Sequence, residues 1–274
     1  MSYEEKLKSY NRTKKKNAIK KMLLIFFFLI LPTTLFGYQY YNDDIRIPNI
    51  IKQAKIDAKD IKHKEINENG FIIQSISNEL ENINEGSNTP FSLDNPDNKR
   101  VYNETGITFD FNQVRELGNI PNEASINRNL LRGQILIPSV NINLPILEGV
   151  SNENLWLGAG TMKPNQQMGK GNFALAGHLM SDPTLLFSPL TSVKKNAYAY
   201  ITDKNMVYQY KVYDMGYIPI NQVDIIKNVN DSKILTLVTC SDLEGNGRYY
   251  VRARLNETKS INEVNSEIYS HFRR

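Results

Sequence analysis

A run of uncharged apolar residues from Met22 to Leu31 sits directly behind a basic cluster, and it decides how much of the chain is free to form a soluble domain. Residues 1–21 hold Lys6, Lys8, Arg12, Lys14, Lys15, Lys16, Lys20 and Lys21 against Glu4 and Glu5, so eight minus two gives +6. The whole chain has a formal net charge of +4, which leaves −2 for everything after residue 21. The basic character therefore belongs to the tail, and no nucleic-acid partner is expected for the folded part. From Met22 to Phe36 a helix would be about 22 Å long at ~1.5 Å per residue, short of the ~30 Å hydrocarbon core. Ala18 and Ile19 before it and Tyr38, Tyr40 and Tyr41 after it extend the span, with lysines reaching one interface and tyrosines resting at the other. Neither Thr34 with Phe36 nor Leu35 with Gly37 makes a good small-residue cleavage pair, so an uncleaved anchor over residues 22–37 is expected ahead of a cleaved signal peptide. With lysines on the cytoplasmic side, residues 1–21 form a cytoplasmic tail and all that follows residue 37 is extracytoplasmic.

Residues 38–118 are rich in Asn, Asp, Glu and Ile and include "NEGSNTPFSLDNPDNKR", which reads as a loop-rich extracytoplasmic stalk. Within it Ile51, Ala54, Ala58 and Ile61 recur at helical spacing after Pro48, which predicts a short amphipathic helix near the membrane surface. From about Ile120 the texture changes to short β-rich runs: "GQILIPSVNINLPILEG", "GNFALAGH", "AYAYITD", "MVYQYKVYDM", "YIPINQV", "KILTLVTC" and "RYYVRARL". Brief helical segments are expected near "NENLWLGAG" and "PTLLFSPL". This pattern predicts a mainly β fold, barrel or sandwich with the barrel preferred, over residues 119–258, and a C-terminal tail over residues 259–274.

One cysteine in an exported chain cannot form an internal disulfide, so Cys240 is either a small buried hydrophobe or a reactive thiol. It ends the strand "KILTLVTC", where a side chain can face a cleft. A cysteine nucleophile needs a proton partner, because the thiolate attacks and the leaving amine must be protonated. His63 lies in the polar stalk and His271 among the last four residues, whereas His178 ends the apolar strand "NFALAGH" behind Gly177. The strand after "SDLEGNG" begins with Arg248, which a hairpin would bring opposite Cys240 to stabilise an oxyanion. Arg252 and Arg254 share its strand face and compete for that role. Asp182, four residues after His178, reads as a loop or capping residue.

"TLVTC" resembles the Thr-Leu-x-Thr-Cys signature of the sortase family, "ALAGH" resembles its histidine strand, and "RYYVRARL" its arginine strand. The stretch from Ile135 to Met180, together with "LLFSPL", is similar to the housekeeping, class A branch, and the resemblance covers about residues 108–257. It implies an eight-stranded sortase-type β-barrel with short helices, held outside the membrane of a thick-walled bacterium. It also implies a cysteine transpeptidase that cleaves a Leu-Pro-x-Thr-Gly sorting signal between Thr and Gly. The thioacyl-enzyme passes its acyl group to an amine of a lipid-linked peptidoglycan precursor. Cys240, His178 and Arg248 are the catalytic residues on this resemblance. Ala176, Val238 and Thr239 match substrate-binding positions, the first two in the groove for Leu and Pro. Partners are then secreted proteins bearing the signal, the precursor, and the bilayer through the N-terminal helix. Some family members use calcium, but "TMKPNQQMGKGN" offers two lysines and no carboxylate beside Glu148 and Glu153, so no metal and no cofactor is expected. The alternatives are a pilin-polymerising sortase, against which stands the lack of a second apolar span after Arg254, and a secreted cysteine peptidase that hydrolyses instead of transferring.

Overall fold

The computed structural model describes residues 2–85, 91–115, 118–121, 125–229 and 231–273. The chain divides into two units, residues 1–48 and residues 49–274. The first is helical from Tyr3 and contains an apolar stretch long enough to cross a membrane, with none of that stretch buried by protein. Thr33 and Thr34 are the polar side chains inside it, and each returns its hydroxyl to the helix backbone, donating to Leu29 O at 2.9 Å and Leu31 O at 2.8 Å. Satisfied in this way, they weaken the apolar character of the span very little.

In the second unit eight strands close into a barrel. They are β1 Leu131–Ile137, β2 Ile142–Leu147, β3 Ala159–Thr161, β4 Asn172–Ala176, β5 Tyr198–Thr202, β6 Met206–Pro219, β7 Ile234–Cys240 and β8 Gly247–Ser260, in the order β1-β2-β3-β4-β7-β8-β6-β5. The expected barrel is thus the fold, with the strands cut differently from the sequence runs. The first run splits into β1 and β2 at Pro138–Val140, where Asn141 takes the left-handed φ of 56° that Asn tolerates well. "MVYQYKVYDM" and "YIP" fuse into the 14-residue β6. The three-residue β3 hides in "LGAGT", too short for alternation to reveal. The two expected helical segments appear as the helix Asn152–Leu157 and the 3₁₀ turn Ser188–Ser192, and the tail holds the helix Ser266–Phe272.

Two pairings are parallel, β2 with β3 and β4 with β7, and the others are antiparallel. A parallel pair needs a long crossover, and here β5 and β6 lie between β4 and β7 in sequence. Because successive side chains on a strand face opposite ways, register sorts the residues of β4, β7 and β8 into two layers. Phe173, Leu175, Leu235, Leu237 and Val251 share one face and are all buried. Ala174, Ala176 and Val238 share the other, in an apolar cluster with Val150, Leu155, Met162 and Ile226.

The region expected to be a loop-rich stalk departs most from its sequence reading. From Asn49 onward it is largely helical, with helices His63–Asn84 and Pro96–Thr105, and it packs on the barrel. Ala54, Ala58, Ile61, Ile66, Ile73, Leu80 and Val101 form one buried cluster with Leu130, Leu131, Leu147 and Leu157. The amphipathic spacing at 51–61 falls on the helix Ile47–Asp60, and its apolar face covers the barrel. Asn69 adds a polar tie, donating from Nδ2 to Arg128 O at 2.6 Å. Low average hydrophobicity concealed these helices, because their apolar residues are sparse and each one is spent on a single stripe.

If this region is part of the barrel's folding unit, Ile73→Ala lowers the stability of the whole unit by about 2–4 kcal/mol, the usual cost of such a cavity. The check is urea unfolding followed by Trp156, the one tryptophan in the chain, which sits in the barrel-side helix Asn152–Leu157. An independent stalk would leave that transition unmoved.

Candidate active site

The site begins with β7, which lies between β4 and β8. On one side Ala176 is the parallel partner of Val238, so His178 and Cys240, each two residues further on, emerge at the same end of neighbouring strands. Gly177 N–H donates to Val238 O at 3.1 Å and keeps β4 on β7 to the last residue before the histidine. A side chain at Gly177 would sit 2.6 Å from the Phe187 ring, so glycine is what allows the following loop to fold back there. Phe187 N–H then donates to His178 O at 3.1 Å.

On the other side Cys240 is the direct antiparallel partner of Arg248. The connection is shaped by Asp242, which accepts from Asn246 N–H at 3.0 Å, and by Gly245 at φ 73°. Arg248 Nη1 donates to Gly247 O at 3.0 Å, Gly245 O at 3.3 Å and Cys240 Sγ at 3.7 Å. The loop carbonyls thereby aim the guanidinium at the sulfur. Arg252 and Arg254 are committed elsewhere. Arg252 Nη2 donates to Ile225 O at 2.7 Å and ties down the β6–β7 connection, while the Arg254 guanidinium lies 4.3 Å over the Tyr213 ring.

All three residues are buried, with 6%, 1% and 6% of their surface exposed for Cys240, His178 and Arg248. Burial pushes the Cys240 thiol up, the Arg248 charge pulls it back by less, and Asp242 adds to the rise. Burial also pulls the His178 imidazole down to about 4. Its Nε2 has no hydrogen-bond partner among the described residues. Trp156 packs edge-on against the imidazole, ring centres 5.8 Å apart, and supplies an apolar wall. The sequence reading did not single out Trp156; its place in a one-and-a-half-turn helix just before β3 was the available sign. The thiol in turn donates to Val114 O at 3.5 Å, from a residue assigned to the stalk.

Ala176 and Val238 lie side by side in the apolar cluster next to the thiol. Thr239 does not join them: alternation turns its side chain to the opposite face of β7 from Cys240, where Oγ1 has no partner among the described residues. Any contribution of Thr239 to the site is through its backbone. Asp182 caps its own loop, accepting from Thr184 N–H at 2.8 Å. His63 meets Asp203 O at 3.0 Å through Nδ1 and is not part of this site. Glu148 is buried against Arg132, 3.2 Å away, and Glu153 accepts from the Tyr102 hydroxyl at 3.4 Å. Among the described residues no cluster of three or more His, Cys, Asp or Glu side chains is placed to hold a metal ion.

A family model for the sortase domain matches residues 135–256. Sortase A of Listeria monocytogenes is 37% identical over 163 residues, spanning 58% of this chain and 73% of that protein. The chain belongs to the sortase family. Sortase A of Streptococcus agalactiae is 38% identical over 173 residues, 60% of this chain and 70% of the relative, so the similarity is to the class A branch. The crystal structure of sortase C-3 from Streptococcus pneumoniae matches with a TM-score of 0.55 over 82% of this chain and 99% of its own, at 17% identity, a likeness of fold alone. The chain is a sortase-type cysteine transpeptidase, and the row of His178, Cys240 and Arg248 is its candidate active site.

Two measurements follow from the electrostatics. The rate of Cys240 alkylation climbs with pH to a midpoint above the ordinary cysteine value, and Arg248→Gln moves that midpoint higher still, because the lost charge is one that favours the thiolate. A downward move contradicts the assignment. Arg248→Ala lowers kcat by about 10²-fold or more, as for loss of an oxyanion donor, whereas Arg252→Ala acts mainly on KM by releasing the β6–β7 connection.

Proposed function

We propose that Cys240 is the nucleophile, His178 the proton carrier and Arg248 the oxyanion stabiliser of a class A sortase reaction. Cys240 passes its thiol proton to His178 and attacks the Thr carbonyl of a Leu-Pro-x-Thr-Gly signal, forming the C–S bond while the carbonyl π electrons move onto oxygen as a tetrahedral oxyanion that the Arg248 guanidinium stabilises. Collapse breaks the Thr–Gly bond, and His178 gives its proton to the departing glycine amine. An amine of a peptidoglycan precursor then attacks the thioester and loses a proton to His178. Cys240 departs as thiolate and takes the proton back from His178, restoring the neutral pair, and a new amide joins the client protein to the wall. Ala176 and Val238 receive the apolar Leu and Pro side chains, and Thr239 contributes its backbone amide. The observation that carries this reading is the 3.7 Å approach of Arg248 Nη1 to Cys240 Sγ, on a strand whose other neighbour ends at His178.

The buried pair fits the chemistry. A thiol held up and an imidazole held down rest as neutral groups on neighbouring strand ends, and the sorting signal's arrival changes the surroundings of both. Arg248 retains its charge throughout, as guanidinium does. We further assign residues 1–21 to a cytoplasmic tail, residues 22–37 to a single-pass anchor, and residues 119–258 to an extracytoplasmic catalytic barrel, followed by a tail over 259–274. Residues 38–118 join anchor to barrel. The clients are secreted proteins bearing the sorting signal, and no metal takes part.

The test uses the full chain in detergent with a fluorescent Leu-Pro-x-Thr-Gly peptide and a glycine-based amine. Amide exchange dominates over hydrolysis at millimolar amine, and Cys240→Ala and His178→Ala abolish it. Hydrolysis undiminished by amine would instead mark a cysteine peptidase.

A further inference from the structure

The connection between β3 and β4, with its two lysines and no carboxylate, borders a cleft of about 390 Å³ together with Asn228 of the β6–β7 connection. Lys163 is partly buried there, and its Nζ donates to Asn228 Oδ1 at 2.6 Å, a neutral acceptor. That oxygen also accepts from Asn172 N–H at 3.0 Å. Among the described residues no carboxylate pairs with Lys163, and burial pulls its ammonium down to about 8. The exposed Lys170 lines the same cleft, as does one carboxylate among the described residues, Glu81, which already accepts from Asn165 Nδ2 at 2.7 Å. Two ammonium groups thus face one carboxylate. The walls are held by buried amides. Gln166 donates to Ala174 O at 2.9 Å and accepts from Ala174 N–H at 2.7 Å, and Asn172 Nδ2 donates to Ile225 O at 2.9 Å and Lys227 O at 3.1 Å.

The cleft lies at the far end of the apolar groove from the thiol. The groove passes from Cys240 over Val238 and Ala176 to Ala174, Met162 and Ile226. Lys163 directly follows Met162, and Asn228 stands two residues after Ile226. From Cys240 back to Ile234, the partner of Asn172, the strand covers about 20 Å, whereas Leu-Pro-x-Thr extended beside it covers about 13 Å. One or two residues ahead of Leu therefore reach the level of Asn172 and the cleft.

We propose that this cleft is a recognition subsite for a carboxylate side chain one or two residues ahead of the sorting signal's Leu, with Lys163 as the cation that reads it. Clients with an acidic residue there are preferred. The proposal rests on the reading that leads the signal from Cys240 past Val238 and Ala176. A partly desolvated ammonium with donors left over gains most from a charged acceptor, and a carboxylate arriving along the groove supplies one. Lys170 adds attraction at longer range.

The test compares sorting peptides on the full chain in detergent with a glycine-based amine. Each peptide carries Glu at the first or the second position ahead of Leu and is paired with its Gln counterpart. One Glu peptide is expected to exceed its Gln counterpart by about fivefold or more in kcat/KM, mostly through KM, and high salt narrows the gap. Lys163→Gln brings that ratio to about one, and Lys163→Arg keeps most of it. If Lys163 only ties the two connections together, Lys163→Gln slows Glu and Gln peptides alike and leaves the ratio standing, which overturns the subsite. Equal rates within every pair for the unsubstituted enzyme overturn it too, with no variant needing to fold. Exchange of both peptides in that case leaves the proposed reaction intact, whereas no exchange with any peptide counts against the reaction and removes the subsite with it.

Discussion

The register of β7 is the constraint on which the site depends. One strand is parallel to β4 and antiparallel to β8, with Val238 beside Ala176 and Cys240 opposite Arg248. Neighbouring strands lie about 4.8 Å apart, so this register lines up a histidine, a cysteine and an arginine across three adjacent strand ends. No loop has to search for the arrangement. A one-residue slip of β7 would turn Cys240 to the face that carries Thr239 and bury it in the other layer. The ten side chains of Phe173, Leu175, Leu235, Leu237, Val251, Ala174, Ala176, Val238, Val212 and Ala253, all buried, resist such a slip, because it would send each apolar β7 residue to the wrong layer. The catalytic geometry is held by the same hydrophobic alternation that closes the barrel.

Burial sets the chemistry in this row. A guanidinium and a thiolate at 3.7 Å attract by on the order of 4 kcal/mol at an effective dielectric constant of ~20, yet desolvation still leaves the thiol raised. Arg248 therefore offsets part of the cost of the thiolate, and in the proposed reaction its further role is directional, toward the oxygen that becomes charged in the transition state. The helical region before the barrel takes part in this environment. It contributes Val114 to the wall over Cys240 and, through Gly118, the acceptor that fixes the Trp156 indole beside His178.

Much of this was legible in the residues. The alternation in "KILTLVTC" and "RYYVRARL" carried β7 and β8, and the Gly-rich connection between them implied the hairpin that sets Cys240 against Arg248. The competition from Arg252 and Arg254 was open, since strand face alone does not separate residues spaced by two. Only the tertiary partners Ile225 and Tyr213 distinguish them. The helices of residues 49–105 were read as stalk because their polar faces dominate the composition, and their apolar stripes have meaning only once a barrel surface is there to meet them. Val114 was invisible for the same reason. Its contact with Cys240 spans 126 residues of sequence, a separation over which periodicity says nothing. The family resemblance puts Thr239 among the substrate-binding positions, but a period of two carries its side chain away.

The most direct test of the account is the mass of the intact chain after brief exposure to a Leu-Pro-x-Thr-Gly substrate with no amine present, quenched in acid to preserve thioesters. The account predicts a single adduct equal to the acyl portion ending in Thr, mapping to the peptide that contains Cys240 and released by hydroxylamine. A substrate cleaved between Thr and Gly with no such adduct on Cys240, or with the adduct on another residue, would contradict it.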